Sequence, residues 1–108
     1  MRKTGKVIDF TPYEAVKHKE GNDVFSKNDG QRVMKRTVVV DCSYVSEQGD
    51  EIREAYVCDM YREEDDSRLE QLRQTGKKMA FYIFADYYQA ENGRYYQKMT
   101  LRKINELN

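Results

Sequence analysis

Few residues in this chain could do covalent chemistry, and their spacing argues against catalysis. The one histidine, His18, stands in a polar stretch with no serine or cysteine in a nucleophile motif around it. The two cysteines, Cys42 and Cys58, form no C-x₂-C pair, and no H-x₃-H spacing accompanies them. The glycines fit neither a dinucleotide fingerprint nor a phosphate-binding loop. The acidic run Glu63-Glu64-Asp65-Asp66 has the charge to hold a hard cation, but it reads more simply as a helix start, where the macrodipole favours carboxylates. These observations predict a protein that is not an enzyme, with no cofactor and no metal site.

The constellation with a mechanism is aromatic and basic. The 108 residues include nine Tyr and four Phe but no Trp. Tyr82, Phe84, Tyr88 and Tyr96 are expected on one outward strand face with Lys98 and Arg102. Bases stack on such rings at about 1–3 kcal/mol each, and cations neutralise phosphates. A second candidate surface is the outer side of the preceding strand pair, with Lys35, Arg53 and Tyr61. The basic loop carrying Lys17, Lys19, Lys27 and Arg32 would join it. The expected partner is single-stranded nucleic acid, bound with little sequence specificity. The competing expectation is a protein interface, including a homodimer or higher homo-oligomer, because large exposed apolar patches mark partners of either kind.

These faces follow from the elements. Residues 4–16 hold a first strand whose ladder ends or bulges at Pro12. Residues 17–31 are polar and glycine-containing and read as a long flexible loop. Residues 32–45 and 51–61 form the second and third strands around a turn at Glu47-Gln48-Gly49-Asp50. With that turn centred near Gly49, Val40 falls opposite Cys58 and Cys42 opposite Tyr56. Period two then puts Val38, Val40, Cys42, Tyr56, Cys58 and Met60 on the core face. Diagonal neighbours stand roughly 7–8 Å apart, too far for a disulfide, so both cysteines are expected reduced and buried. Residues 63–75 are the helical candidate, capped by Asp65, Asp66 or Ser67 and closed by Gly76, with Leu69 and Leu72 inward.

Residues 77–89 and 94–104 are the fourth and fifth strands. Asn92-Gly93 suggests a two-residue turn pairing Glu91 with Arg94. Carried down the ladder, that register sets Ile83 against Arg102 and every core residue against a surface one. Burial forbids it, since a slip of one residue turns a whole strand over. The expected register instead pairs Ala85 with Met99 and Ile83 with Leu101 inside. Tyr82 then faces Arg102, and Asp86 faces Lys98, outside. It requires an odd loop, with Gly93 left-handed as a bulge.

Three strands, a short helix and a closing hairpin (β-β-β-α-β-β) is the element order of the five-stranded OB-fold barrel. Thr4-Gly5-Lys6-Val7-Ile8, the run Tyr56-Val57-Cys58-Asp59-Met60-Tyr61, Asn92-Gly93-Arg94-Tyr95-Tyr96 and Leu101-Arg102-Lys103-Ile104 resemble the corresponding segments of OB-fold single-stranded-nucleic-acid-binding proteins. The chain is similar to single-stranded-DNA-binding proteins, and closer still to a family of short uncharacterised bacterial OB-fold proteins; it departs from the single-strand binders, which often carry Trp, in having none. The resemblance implies a mainly β single domain over residues 1–108 that binds one strand of DNA or RNA.

Net charge is zero but unevenly spread. Residues 1–40 carry nine cationic and five anionic side chains, residues 41–76 four and eleven, and residues 77–108 six and three. Local field, more than net charge, steers an anionic partner. No apolar run approaches the roughly 20 residues of a membrane helix, and no signal peptide is read at the N-terminus. A cytoplasmic location away from membranes is expected.

Overall fold

A computed structural model describes residues 1–18 and 20–107. The described residues are mainly β, with one helix. The strands are β1 (Arg2–Phe10), β2 (Glu14–Ala15), β3 (Met34–Asp41), β4 (Tyr44–Val45), β5 (Glu51–Ile52), β6 (Ala55–Met60), β7 (Met79–Gln89) and β8 (Tyr95–Asn105). The helix α1 (Asp66–Thr75) lies between β6 and β7. No helix of the described residues is long and apolar enough to cross a membrane.

One sheet runs β1-β7-β8-β6-β3-β2, and β1 also pairs with β3, so the pairings close on themselves. Gly5 makes this possible. Residues Arg2 to Gly5 pair with β7, and from Lys6 onward β1 pairs with β3. At the change-over the two backbones nearly touch, leaving no room for a Cβ. Ile8 is an extra residue in the β1–β3 ladder, a bulge that twists the strand further. The ladder stops before Pro12, which has no N–H to donate.

The core is built by alternation. Val38, Val40, Cys58 and Met60 from β3 and β6 meet Met79, Phe81 and Ile83 from β7 and Leu101 and Ile104 from β8, with Val7 from β1. Leu69 and Leu72 of α1 complete this core. Asp65 caps the helix by accepting the Ser67 N–H at 2.9 Å, and Gly76 closes it in the left-handed region.

The face assignment of the expected second and third strands holds, but their register differs. Cys58 lies opposite Val38, and Val40 opposite Tyr56. The turn is a three-residue loop, with the Gly49 N–H bonded to the Ser46 carbonyl and Gly49 left-handed. Centring on Gln48 instead of Gly49 shifts every partner by two and preserves the faces. The two cysteines are therefore farther from opposition than a diagonal pair, and both are free and buried.

The closing hairpin takes the register that burial demands. Ala85 pairs with Met99, Ile83 with Leu101 and Asp86 with Lys98. The Ala90 N–H meets the Arg94 carbonyl at 2.9 Å, and Gly93 is left-handed within the three-residue loop. A bulge between Tyr82 and Ile83 sets Tyr82 against Lys103 in place of the expected Arg102. Leu101 is buried; Met99 is half-buried, because the hairpin leaves the core there. From Ala85 to Gln89 and from Tyr95 to Lys98 both faces are solvated.

The segment expected to be an unpaired loop is instead partly ordered by backbone bonds. Val16, Val24 and Val33 bond to one another in a cycle at 2.7–2.9 Å, and Lys17–Asp23 and Phe25–Arg32 form bridges. The three valines have the β-branched side chains that favour such extended pairing.

Candidate nucleic-acid interface

Antiparallel β7–β8 and a parallel contact between β6 and β8, at Asp59 and Thr100, lay the outer faces of β3, β6, β8 and β7 side by side. The two surfaces that the sequence suggests separately therefore adjoin. Their junction is Lys98, whose ammonium lies 5.2 Å from the centre of the Tyr61 ring. Tyr61 raises the Lys98 pKa above its ordinary value, and the negative fields of Asp59 and Asp86 add to the rise, so this cation is firmly charged.

Farther along, the Arg102 guanidinium stands 4.6 Å over the Phe84 ring. Ejecting Arg102 from the ladder as the bulge residue puts it within reach of Phe84, diagonal to it. Toward the hairpin tip, Tyr88 and Tyr96 stack at 5.8 Å with 29° between their planes. Tyr82 is half-buried between the paired β1 residue Arg2 and Lys103. Rings and cations thus alternate over the length of the hairpin, an arrangement suited to stacking bases while neutralising phosphates.

The remaining sequence candidates lie outside this row, although Arg32 lines a cleft beside Tyr61. Arg53 is ion-paired with Glu51 at 3.2 Å, at the opposite end of β6 from Tyr61. Six strand residues, about 20 Å, separate them. Lys35 is the backbone register partner of Glu14 across β2–β3. Lys17 and Arg32 both bond to Asp23, and the Lys17 ammonium holds the Asp23 carboxyl below its usual range, so these cations are partly neutralised. Lys27 is exposed. Lys19 lies outside the described residues.

A cleft of about 550 Å³ opens beside Tyr61, between Tyr13, Met34, Glu63 and the loop residues Ser26, Asp29 and Arg32. Tyr13 is set by two bonds. Its hydroxyl donates to the Arg62 carbonyl and accepts from the Glu64 N–H at 2.8 Å. Its ring covers the guanidinium of Arg36, 4.0 Å away. Arg36 is fully buried, stacks on Phe10 as well, and pairs with Asp66 at the start of α1.

No protein-family model and no curated protein matches this chain. The interface therefore rests on its own geometry. Three parts of it are not legible in the sequence. Arg2 reaches Tyr82 only through the β1–β7 pairing. The cleft depends on the folded loop. Tyr87 and Tyr95, 5.7 Å apart and edge-on, have core-face parity yet are 69% and 65% exposed, because the hairpin outruns the core. Arg36, by contrast, carries a signal that could have found it: it has the parity of Val38 and Val40.

Proposed function

We propose that this chain is an OB-type five-stranded barrel that binds single-stranded DNA or RNA across the outer faces of β3, β6, β8 and β7. The observation that carries the reading is the Tyr61–Lys98 contact, which joins rings and cations of two strand pairs into one surface. Support for the barrel comes from the closed cycle of pairings among β1, β3, β6, β8 and β7, with β6 and β8 parallel and the helix leading into the closing hairpin. Phe84 with Arg102 and Tyr88 with Tyr96 extend the stacking row. Every base has a π-face, so such a row tolerates sequence. The role is binding rather than catalysis, in the cytoplasm.

The test is fluorescence polarisation of labelled single-stranded and duplex oligonucleotides over a salt series. Single strands should bind more tightly than duplex, and log affinity should fall linearly with log salt, by roughly 0.7 per phosphate neutralised. Failure to bind single strands at low salt would remove this reading.

One observation favours a second reading, an assembly module. Tyr87 and Tyr95 put large exposed rings on the opposite face of the same ribbon. Sedimentation of the wild type against a Tyr87→Ser/Tyr95→Ser variant tests it: a smaller species in the variant supports self-association through that face.

A further inference from the structure

The cleft beside Tyr61 has a composition that phosphate binding does not explain. Two of its walls are carboxylates, Glu63 and Asp29. A carboxylate is an acceptor only, and it repels a phosphate. Glu63 is exposed and has no hydrogen-bond or ion-pair partner among the described residues. Asp29 uses one oxygen on the Gln31 N–H at 3.0 Å. Across from them, Arg32 uses its Nε on Asp23 at 3.1 Å, which leaves its Nη donors. The Tyr61 ring borders the same space and touches Lys98, so the cleft adjoins the stacking row. Its volume is within the range of small-molecule sites.

An acceptor-only group opposite a donor group discriminates between bases. Cytosine offers an exocyclic amino donor at C4 beside ring acceptors, and carboxylates accept from that amino group. Uracil has a carbonyl oxygen in the same place, which a carboxylate repels. The ring size is unchanged between the two, so stacking on Tyr61 barely distinguishes them.

We infer that the cleft formed by Tyr61, Glu63, Asp29 and Arg32 is a base-selective subsite that takes an amino-bearing base, cytosine over uracil, with Glu63 as the selecting residue. This rests on the single-strand reading above. The stacking row supplies tolerant affinity, and the cleft adds a preference at one nucleotide.

The experiment compares oligo-dC with oligo-dU of equal length by fluorescence polarisation at low salt and neutral pH. Three proteins are used: wild type, Glu63→Gln and Asp86→Asn. Wild type should prefer oligo-dC about tenfold, the discrimination of one good hydrogen-bonded contact. Glu63→Gln should cut that ratio to about twofold, mainly by strengthening oligo-dU, because an amide can donate to the uracil oxygen. Asp86→Asn removes a carboxylate outside the cleft and should strengthen both oligomers alike. Equal wild-type affinities would overturn the base preference, and a preference that survives Glu63→Gln would overturn Glu63 as the selecting residue; either leaves the single-strand reading standing. Binding of neither oligomer overturns both.

Discussion

A methyl group on Gly5 would lie 2.1 Å from the carbonyl oxygen of Asp41. That oxygen is backbone and belongs to the strand that β1 has just begun to pair with. Neither partner can move aside without parting β1 from β3 or from β7. Gly5→Ala should therefore destabilise the fold by about 3 kcal/mol, at the upper end of ordinary overpacking. The check is a chemical melt: a midpoint within error of wild type would mean that β1 is not held between two ladders.

Arg36 and Asp66 form an unequal pair. The Arg36 side chain is 1% exposed and the Asp66 side chain 72%. Removing the carboxylate leaves a buried guanidinium with the Glu64 carbonyl, at 3.4 Å, and two ring faces. Asp66→Asn should cost about 3 kcal/mol, far more than a surface substitution usually does. Arg36→Met keeps the packing volume and frees Asp66 to water, so it should cost less than Asp66→Asn, about 1 kcal/mol or none. Urea melts of the two variants decide the order, and the reverse order would refute the account.

Burial pushes the thiols of Cys42 and Cys58 up from 9.0 to about 11. The folded state holds those protons more tightly than the unfolded state. Their stabilising contribution is thus complete below pH 9 and is lost as pH rises toward about 11. Stability measured across that window should fall more steeply for wild type than for a Cys42→Ala/Cys58→Ala variant. A thiol reagent at neutral pH should label native protein only at the rate of unfolding. Fast labelling of either cysteine would show that it is not buried.

Tyr61 and Lys98 should behave as one unit toward single-stranded DNA. Tyr61→Ala should weaken binding roughly tenfold through lost stacking. Lys98→Ala should weaken it less and lower the salt slope by roughly 0.7. The double variant should fall short of the product, because each residue positions the other. Arg53→Ala, at the far end of β6, should change little. A larger loss from Arg53→Ala than from Tyr61→Ala would move the interface to the β4–β5 end of the sheet.

Local rules make much of this protein legible in its sequence. Period two assigns the inward faces of β3, β6 and the first half of β7 correctly, because one wrong step would bury Lys35 and Thr37. The caps of α1 follow from Asp65 and Gly76, whose roles depend only on adjacent backbone. At Asn92-Gly93 the burial of Ile83 and Leu101 overrules the dipeptide, because several buried side chains outweigh one turn preference.

Relationships spanning distant segments are decided only by the tertiary structure. The two-residue shift that sets Cys58 against Val38 leaves every face unchanged, so alternation holds no information about it. The burial of Arg36 requires Phe10 and Tyr13 from one segment and Asp66 from another to converge on it. Arg53 and Tyr61 share strand parity, but parity says nothing about which end of a strand a residue occupies on the surface. The junction of Tyr61 with Lys98 exists because β8 lies beside β6, a parallel contact between chain segments with a helix and a strand between them. Side-chain alternation is a property of each strand alone, whereas the neighbour of a strand is chosen by how the whole sheet closes around its core.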